Sequence, residues 1–331
     1  MKILIIRFSS IGDIVLTTPV VRCLKKQSKD AEVHYVIKKV YEPTLESNPF
    51  IDKFHFYQDD MGKIISDLKK ERFDVVIDLQ KNFRSFRIRQ ALGVKNYTFN
   101  KLNFQKWLLV NFKINLLPYK HIVDRYMEVV KSLGVINDDA GLDYFISNKD
   151  EEVINDLPSS HKNGYVAWVI GARHNTKMLQ LEKMISIGQK INSPVVILGG
   201  IEDFEKGDQL AKQDEIKFFN ACGKYSLNQS AAFIKNSKKV ITHDTGLMHI
   251  AAAFKKDIIS IWGNTVPEFG MYPYFGDLSK RQTSNIEQVF STILEVKNLS
   301  CRPCTKIGFE KCPKGHFKCM SEIDEDIFNK M

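Results

Sequence analysis

The sequence lacks a long apolar run, since no stretch approaches the about 18 residues that a membrane-spanning helix needs. The apolar residues ILII near the N-terminus are interrupted by Arg7 and then by Asp13, so the pattern of a secretory signal peptide is also missing. The six cysteines are therefore expected to be reduced thiols in a cytosol. These absences predict a cytoplasmic protein that is attached to a membrane at most by its surface.

A second absence is local, since no acidic residue occurs between Asp78 and Asp124. The chain carries 48 basic and 39 acidic residues, for a net charge of +9. The basic residues of the acid-free interval are Lys81, Arg84, Arg87, Arg89, Lys95, Lys101, Lys106, Lys113 and Lys120. Aromatic and aliphatic residues interleave them, so the interval is either a solvated basic face or a surface that meets an anionic lipid head group or an acidic sugar, and the aromatic residues favour a membrane interface. No zinc finger or RNP sequence occurs, so nucleic acid is not a predicted partner.

The first strand-to-helix turn has little glycine. The stretch RFSSIGDIVLTTP, residues 7–19, follows the apolar strand MKILII with one glycine, two serines and Asp13. It lacks the G-x-G-x-x-G fingerprint, which argues against a dinucleotide oxidoreductase. Asp13 is either a cap of the first helix or a carboxylate kept there for chemistry.

Strand-like apolar runs alternate with helical patterns along all 331 residues. This rhythm predicts an α/β fold with parallel sheets covered on both sides by helices. The least periodic region, residues 140–163, is polar, contains Pro158 and is followed by Gly164. We therefore predict two Rossmann-like domains facing each other across a cleft, an N-terminal one at 1–155 and a C-terminal one at 156–331.

The stretch KKVITHDTGLMHIAAAF, residues 238–254, predicts a strand that runs into a helix beginning near Gly246. Asp244 and Thr245 stand where they could cap this helix. Thr245 and Gly246 offer a hydroxyl and backbone amides at a helix N-terminus, which favours a bound anion such as a diphosphate. His249 lies one turn further and could reach the same anion. A plain capped core helix is the alternative.

Two other stretches offer groups for a nucleotide. GARHNTKMLQLEK, residues 171–183, brings Lys177 after a predicted strand, where it could face a phosphate. LGGIEDFE, residues 198–205, ends another strand, and Glu202 could accept hydrogen bonds from ribose hydroxyls. Solvated loops are the alternative for both.

The C-terminal stretch CRPCTKIGFEKCPKGHFKC contains Cys301, Cys304, Cys312 and Cys319. Four thiols so close together are compatible with a structural zinc site, with an oxidisable pair, or with free thiols that pack a tail. A second CxxC is missing, so the spacing does not choose among these states. No catalytic metal is predicted.

The chain resembles the heptosyltransferases of glycosyltransferase family 9 over nearly its whole length. The resemblance rests on the order and spacing of RFSSIGDIVLTTP, FDVVIDLQKNFRS, HIVDRY, VVILGGIEDFE, CGKYSLNQSAAFIKNSKKVITHDTGLMHIAAAF, IISIWGNTVPEFGMYP and the cysteine-rich tail. It implies a GT-B fold and an inverting, metal-independent sugar transfer that requires no cofactor. The implied donor is ADP-heptose or a related nucleotide sugar, and the implied acceptor is the lipopolysaccharide inner core on lipid A.

The resemblance also implies roles for residues. Asp13 would be the general base, with Ser9, Ser10 and Gly12 shaping its loop against the acceptor. The donor diphosphate would lie against Thr245, Gly246 and His249, with Asp244 anchoring the turn, Lys177 compensating the charge of the leaving nucleotide, and Glu202 or Asp203 near the ribose. The predicted acceptor contacts are Arg84, Arg87 and Arg125. The protein itself is expected to lie on the anionic surface of the inner membrane, at its inner face.

This sequence departs from the family pattern at two points. Lys177 is followed by MLQ rather than by an aromatic residue and a proline, and His243 replaces an asparagine before DTG. Both departures leave the sugar open, so a GT-B transferase that uses another nucleotide sugar is the first alternative. A GT-B epimerase or phosphorylase would need a further acid or a cofactor lysine. A catalytically silent nucleotide-sugar-binding scaffold on the membrane would be expected to lack the base.

Overall fold

The computed structural model describes residues 1–276 and 291–330, which pack into two compact units. Unit 1 contains Met1–Leu102, Lys120–Phe145 and a stretch that begins at Tyr274. Unit 2 contains Asn103–Tyr119, Ile146–Pro273 and the described residues from 291 onward. The domain boundary after residue 155 stays a prediction. None of the described helices has the length and apolar character needed to span a bilayer.

The strands are short and mostly buried, as expected for apolar runs covered on both sides. They are β1 (Lys2–Ile6), β2 (Glu32–Lys38), β3 (Lys53–Tyr57), β4 (Val75–Asp78), β5 (Lys95–Thr98), β6 (Val166–Val169), β7 (Val195–Leu198), β8 (Phe218–Asn220), β9 (Lys239–His243), β10 (Asp257–Trp262) and β11 (Ser291–Glu295). Each strand pairs with its neighbours in parallel.

Helices connect most of these strands, as parallel pairing requires. They are α1 (Ile11–Val15), α2 (Thr18–Gln27), α3 (Met61–Glu71), α4 (Phe83–Leu92), α5 (Asn103–Phe112), α6 (Ile122–Lys131), α7 (Asn148–Glu151), α8 (Leu181–Lys190), α9 (Phe204–Ala211), α10 (Leu227–Asn236), α11 (Gly246–Ala253) and α12 (Lys318–Ser321). Local signals set their ends. For example, the Asn82 side chain accepts a 3.0 Å hydrogen bond from the Ser85 amide at the start of α4, and Gly93 ends the helix with φ 64°.

Unit 1 has the strand order β3-β2-β1-β4-β5. Unit 2 has the order β11-β10-β9-β6-β7-β8, which read from β8 is the 3-2-1-4-5-6 order of a dinucleotide-type Rossmann fold. In both sheets the strand order reverses once, between β1 and β4 in unit 1 and between β6 and β9 in unit 2. Ligands of open parallel sheets bind at such switch points, beyond the carboxyl ends of the strands. The predicted class, two Rossmann-like α/β domains, is confirmed.

The cysteine-rich tail belongs to the core of unit 2. Cys319, Met320 and Phe328 are buried in one cluster with Trp168 and Ile241 of the sheet. The tail is therefore part of the folded unit and not an appendage. This packing brings residues of the C-terminal tail next to Trp168 of β6, from which they are far apart in sequence.

Two histidines are buried next to each other on the neighbouring strands β2 and β3 of the unit 1 sheet. His34 Nε2 lies 2.7 Å from Glu32 Oε1, and His34 Nδ1 lies 2.9 Å from His55 Nε2. Since a carboxylate only accepts, His34 Nε2–H donates to Glu32 and His55 Nε2–H donates to His34. Burial, and next the neighbouring His34, lower the pKa of His55 to about 4.

Because His55 resists protonation only in the folded chain, acid should destabilise the protein. We expect the free energy of unfolding to fall by on the order of 3 kcal/mol for this group as the pH drops from about 6.5 to about 4. Over that window the unfolded chain binds the proton at His55 and the folded chain does not. Urea denaturation at several pH values would show a flatter dependence of the free energy of unfolding on pH for His55→Phe than for the wild type. Equal pH slopes for wild type and His55→Phe would contradict this expectation.

Candidate functional site

The predicted site residues of unit 1 cluster at its switch point. The loop after β1 carries Ser9, Ser10 and Gly12, and Asp13 is the third residue of α1. Ser10 is the N-cap of this helix, and Asp13 completes a capping box by accepting from the Ser10 amide at 3.5 Å, so the capping alternative for Asp13 stays open beside the chemical one. Asp13 Oδ2 accepts a 3.1 Å hydrogen bond from Ser10 Oγ, and its side chain remains partly exposed. The carboxylate is thus held at the carboxyl edge of the sheet and is accessible there.

Arg7 fixes this carboxylate, a role that the motif analysis missed. Its Nη2 lies 2.8 Å from Asp13 Oδ1, while other guanidinium atoms donate to Ser9 O at 2.8 Å and Leu79 O at 2.6 Å. Burial lowers the pKa of Arg7, but Asp13 together with Tyr126 and Tyr35 more than offsets that effect, and the net pKa is raised. Arg7 is the last residue before the loop, and an arginine directly after a buried strand was the signal available in the sequence.

A second cation, Lys101, interacts electrostatically with Arg7 and Asp13 of the same site. Burial, and next Arg7, lower the pKa of Lys101, whereas Asp78 and Asp13 act in the opposite direction. Asp78 ends β4 and is fully buried, where its carboxylate accepts from Ser85 Oγ at 2.8 Å. Asp78 therefore fixes the first turn of α4 through this hydrogen bond to Ser85.

The predicted acceptor residues differ in exposure. Arg84 and Arg87 are exposed on α4, and the Arg84 guanidinium lies 5.8 Å from the Tyr57 ring centre. Arg125 is buried in α6, where burial lowers its pKa and its Nη1 lies 3.4 Å from Asn100 O. All three assignments stay predictions. Arg84 and Arg87 present their charge to a large anionic ligand without rearrangement, whereas Arg125 does not.

The predicted donor residues of unit 2 cluster at the second switch point. The helix α11 begins at Gly246, with Thr245 at the N-cap position and His249 buried within its first turns. Thr245 Oγ1 is buried and makes no hydrogen bond within residues 1–276 and 291–330. A buried hydroxyl without a partner at a helix N-terminus is a group well placed to donate to a bound anion.

Lys177 and Asp244 bridge the two strands that flank this switch point. Lys177 Nζ donates to Asp244 Oδ2 at 2.5 Å, and Thr265 Oγ1 donates to the same oxygen at 3.0 Å. Lys177 follows β6 in sequence and Asp244 follows β9, so the ion pair spans the strand-order reversal. It places a partly exposed ammonium group beside the turn that leads to Gly246.

His243, the residue that departs from the family pattern, supports the Lys177 loop. Its Nε2 accepts a 3.1 Å hydrogen bond from the Leu179 amide. Burial lowers the pKa of His243 to about 3, so the imidazole stays neutral and Nε2 remains an acceptor. His243 is therefore a positioning residue, and it orients the loop two residues beyond Lys177.

Glu202 and Asp203 occupy opposite environments after β7. Glu202 is exposed, whereas Asp203 is buried and its carboxylate accepts from the Gly200 amide at 2.9 Å. A Cβ added at Gly171 would lie 1.9 Å from Asp203 Oδ2, so the backbone after β6 approaches this acid closely. Burial raises the pKa of Asp203. Because Glu202 is exposed and Asp203 is buried, Glu202 is the more accessible of the two acids to a ribose. Its contact with a ribose stays a prediction.

The C-terminal tail braces the Lys177 turn. Thr176 Oγ1 donates to Phe309 O at 2.9 Å, and the Thr176 amide donates to the same oxygen at 3.1 Å. Arg302 anchors the tail, because its guanidinium donates to Gly263 O at 2.5 Å and pairs with Glu295 at 3.0 Å. No pattern in the sequence connects residues 302–309 with the loop of Lys177.

We therefore expect Arg302→Met to weaken the fold and the donor site together. The substitution leaves buried carbonyl groups and Glu295 without their cation, so the free energy of unfolding should fall by about 2–4 kcal/mol. Urea denaturation measures this loss, and an ADP titration measures the effect on the donor site. Lys318→Met, which removes an exposed pair with Glu322, is the matched control and should cost less than about 1 kcal/mol. Equal stability of the two variants would contradict the anchoring role.

The six cysteines are free thiols in this structure. Burial raises the pKa of Cys304 to about 11 and that of Cys319 to about 12. Among the described residues, one group of side chains brings its ligand atoms within 4.8 Å of one another, namely His34, His55 and Glu71. Glu71 is already paired with Lys2 and Lys53, so hydrogen bonds and ion pairs satisfy this group.

Two Rossmann-like units with polar clusters at their switch points define a protein of the GT-B class. A family model described as glycosyltransferase family 9 (heptosyltransferase) matches residues 61–292. The chain belongs to this family and is a glycosyltransferase, which confirms the resemblance seen in the sequence.

Known proteins are similar to nearly the whole chain. Lipopolysaccharide heptosyltransferase 1 of Campylobacter coli is 25% identical over 100% of this chain and 98% of its own length. A family 9 glycosyl transferase of Veillonella parvula has a TM-score of 0.76 at 22% identity, covering 99% of this chain and 95% of that one. An Escherichia coli heptosyltransferase solved with ADP has a TM-score of 0.66 at 19% identity, covering 88% and 93%. At these identities the solved structures show the shared fold.

Proposed function

We propose that this protein transfers a heptose, or a closely related sugar, from an ADP-sugar to the inner core of lipopolysaccharide. The proposal includes inversion at the anomeric carbon and independence of metal ions. Family membership supports the heptose, the similar heptosyltransferase solved with ADP supports the adenine nucleotide, and the lipopolysaccharide enzyme of Campylobacter coli supports the acceptor. The geometry of the two switch points supports the mechanism.

The observation that carries the proposal is the group of residues around the start of α11. A nucleotide diphosphate brings negative charge that must be stabilised as the sugar leaves. Backbone amides from Gly246 onward, the buried Thr245 hydroxyl and the Lys177 ammonium group supply positive potential at one place. Asp244 keeps Lys177 in position. His249 would complete the diphosphate contacts, and Glu202 would bind the ribose.

In unit 1 the proposed general base is Asp13. Inverting transfer is a direct displacement, in which a carboxylate removes the proton from the attacking acceptor hydroxyl. Arg7 and Ser10 each hold one oxygen of Asp13, so the carboxylate is oriented before the acceptor arrives. An acceptor hydroxyl that reaches this partly exposed carboxylate would give up its proton there.

The proposed acceptor is an anionic glycolipid, lipid A with its first inner-core sugars. Arg84 and Arg87 present exposed guanidinium groups on α4, the helix that follows β4, and β4 pairs with β1, the strand before the loop of Ser9, Ser10 and Gly12. Arginine binds phosphate and carboxylate through paired donors. The enzyme would act at the cytoplasmic, anionic surface of the inner membrane, and Arg125 would contribute only after a local rearrangement.

A panel of nucleoside diphosphates in a thermal-shift assay tests the donor. A ligand that binds the native state raises the melting temperature. ADP and ADP-heptose should do so more strongly than the uridine, guanosine and thymidine diphosphates. A shift by a different base alone would overturn the ADP assignment while leaving the transferase fold intact.

A transfer assay tests the rest of the proposal. ADP-heptose and a lipid A acceptor that bears the first inner-core sugars should yield a heptosylated product at the same rate with and without EDTA. The anomeric configuration of the product, read by NMR, should be opposite to that of the donor. Retention of configuration would sink the direct displacement, and loss of activity in EDTA would sink metal independence.

A further inference from the structure

Helix α5 exposes a cluster of aromatic side chains that the transfer reaction does not use. Phe104, Trp107 and Phe112 have relative exposures of 65%, 47% and 59%. Their rings touch one another, with centres 6.2 Å apart for Phe104 and Trp107 and 5.2 Å apart for Trp107 and Phe112. These three residues are called the aromatic face below. The chain continues with exposed Ile114, Leu116 and Tyr119.

The other side of α5 holds the helix on unit 2. Leu109 is buried in a small cluster with Val266 and Phe269. Lys106 lies on this side too, with its ammonium group 5.7 Å from the centre of the Phe269 ring. The helix is therefore anchored without the aromatic face. An exposed group of three large aromatic side chains on a helix that is already anchored marks an interaction surface.

The surroundings of the aromatic face are basic. Residues 79–123 contain no acidic residue. Lys113, at the end of α5, donates to Pro303 O at 2.8 Å and Cys301 O at 3.2 Å, so the tail adjoins the helix. The adjoining tail loop, residues 306–314, exposes Ile307 and Phe309 together with basic side chains. The exposed basic residues of this loop are Lys306, Lys311 and Lys314.

We propose that the aromatic face, the segment up to Tyr119 and the tail loop form the surface by which the protein docks on an anionic lipid bilayer. Aromatic rings and short aliphatic side chains enter the interfacial layer, while neighbouring lysines meet anionic head groups. Charge complementarity favours a bilayer over a protein partner, because the whole patch combines apolar and basic side chains and has a single acid, Glu310. The inference rests on the proposed function, which places the acceptor in a membrane.

Tryptophan fluorescence offers a direct test, because Trp168 and Trp262 are buried, with exposures of 0% and 1%. Changes in emission on adding vesicles therefore report on Trp107. With the full chain and vesicles of phosphatidylglycerol and phosphatidylcholine in equal parts, the emission should shift to the blue, and acrylamide should quench it less. Pure phosphatidylcholine vesicles should produce a smaller shift, and added salt should reduce the shift on the anionic vesicles.

Variants that keep Trp107 as the reporter separate the contributions. The double variant Phe104→Ser, Phe112→Ser should weaken partition onto anionic vesicles by about tenfold or more. Lys306→Gln combined with Lys311→Gln and Lys314→Gln should weaken binding to anionic vesicles and leave binding to neutral ones unchanged. Ile216→Ser, at an exposed apolar side chain after α9 in unit 2, is the matched control and should bind like wild type.

Distinct outcomes decide between the docking surface and the transferase proposal. Turnover of ADP-heptose with a water-soluble acceptor fragment should be the same in the wild type and the Phe104, Phe112 variant. If that turnover proceeds and Trp107 does not respond to vesicles, the docking inference fails and the transferase proposal stands. If Trp107 responds and no sugar is transferred, the transferase proposal fails and the docking surface stands. A blue shift that grows with protein concentration without lipid, together with dimers in sedimentation, would assign this face to a second copy of the chain.

Discussion

Asp13→Asn is expected to lower the rate of sugar transfer by about 10²–10⁴-fold, the usual contribution of a positioned general base. An amide has nearly the shape of the carboxylate but cannot take the proton from the acceptor hydroxyl. The proposed donor residues belong to unit 2, so the affinity for ADP should change by less than about twofold. Transfer assays at saturating donor and acceptor, together with an ADP titration, measure both effects.

The same substitution should also cost stability, because it removes the countercharge of Arg7. That guanidinium is buried but keeps its hydrogen bonds to Ser9 O and Leu79 O, so the chain should still fold. We expect a loss of about 1–3 kcal/mol in the free energy of unfolding. Ser10→Ala, which removes one hydrogen bond to Asp13, is the control and should slow transfer far less. Transfer by Asp13→Asn within about tenfold of wild type would refute the assignment of the base.

Lys177→Met should lower kcat/KM for the donor by about 10²–10³-fold, in line with the loss of one electrostatic contact to a leaving group. The thioether side chain fills similar space but carries no charge. Asp244 would then face the proposed diphosphate with the Thr265 hydroxyl as its remaining hydrogen-bond partner among the described residues. An uncompensated carboxylate near a diphosphate opposes binding and departure alike. We therefore expect weaker ADP binding as well as a lower kcat.

Lys183→Met is a matched control for this experiment. Lys183 also pairs with a carboxylate, Glu325 at 2.7 Å, and also belongs to unit 2, but it lies on α8 beyond the Lys177 turn. It should leave kcat/KM unchanged. Lys177→Arg should recover part of the activity, because charge is restored with a different geometry. Equal kinetic losses in the two methionine variants would show that Lys177 has no special role.

The local elements could be predicted because their signals are short-range. Apolar runs of a few residues indicated buried parallel strands, and the turns after β1 and β9 carried polar residues at recognisable positions. The start of α11 at Gly246 follows from such local chemistry. The family motifs extended this reasoning to Lys177 and Asp13, because each motif is a contiguous stretch of chain.

Contacts between distant segments could not be predicted. Arg7 reaches Leu79 and Tyr126, at sequence separations of 72 and 119 residues. His243 supports the Leu179 amide, and Phe309 holds Thr176. Each pairing depends on which strands are neighbours in the sheet. Position in the chain predicts the N-terminal domain for residues 103–119, whereas in the structure Leu109 of this interval packs against Val266 and Phe269 of unit 2.

The sequence by itself determined the fold class, the family and the two polar loops, because periodicity and contiguous motifs are properties of neighbouring residues. Only the tertiary structure decided that both loops lie at strand-order reversals, since the order of strands depends on long-range pairing. The tertiary structure likewise decided which side chains of α5 are exposed. A helical segment rich in aromatic residues can bury either side, and the packing of Leu109 against Val266 and Phe269 selects the side that leaves Phe104, Trp107 and Phe112 in solvent.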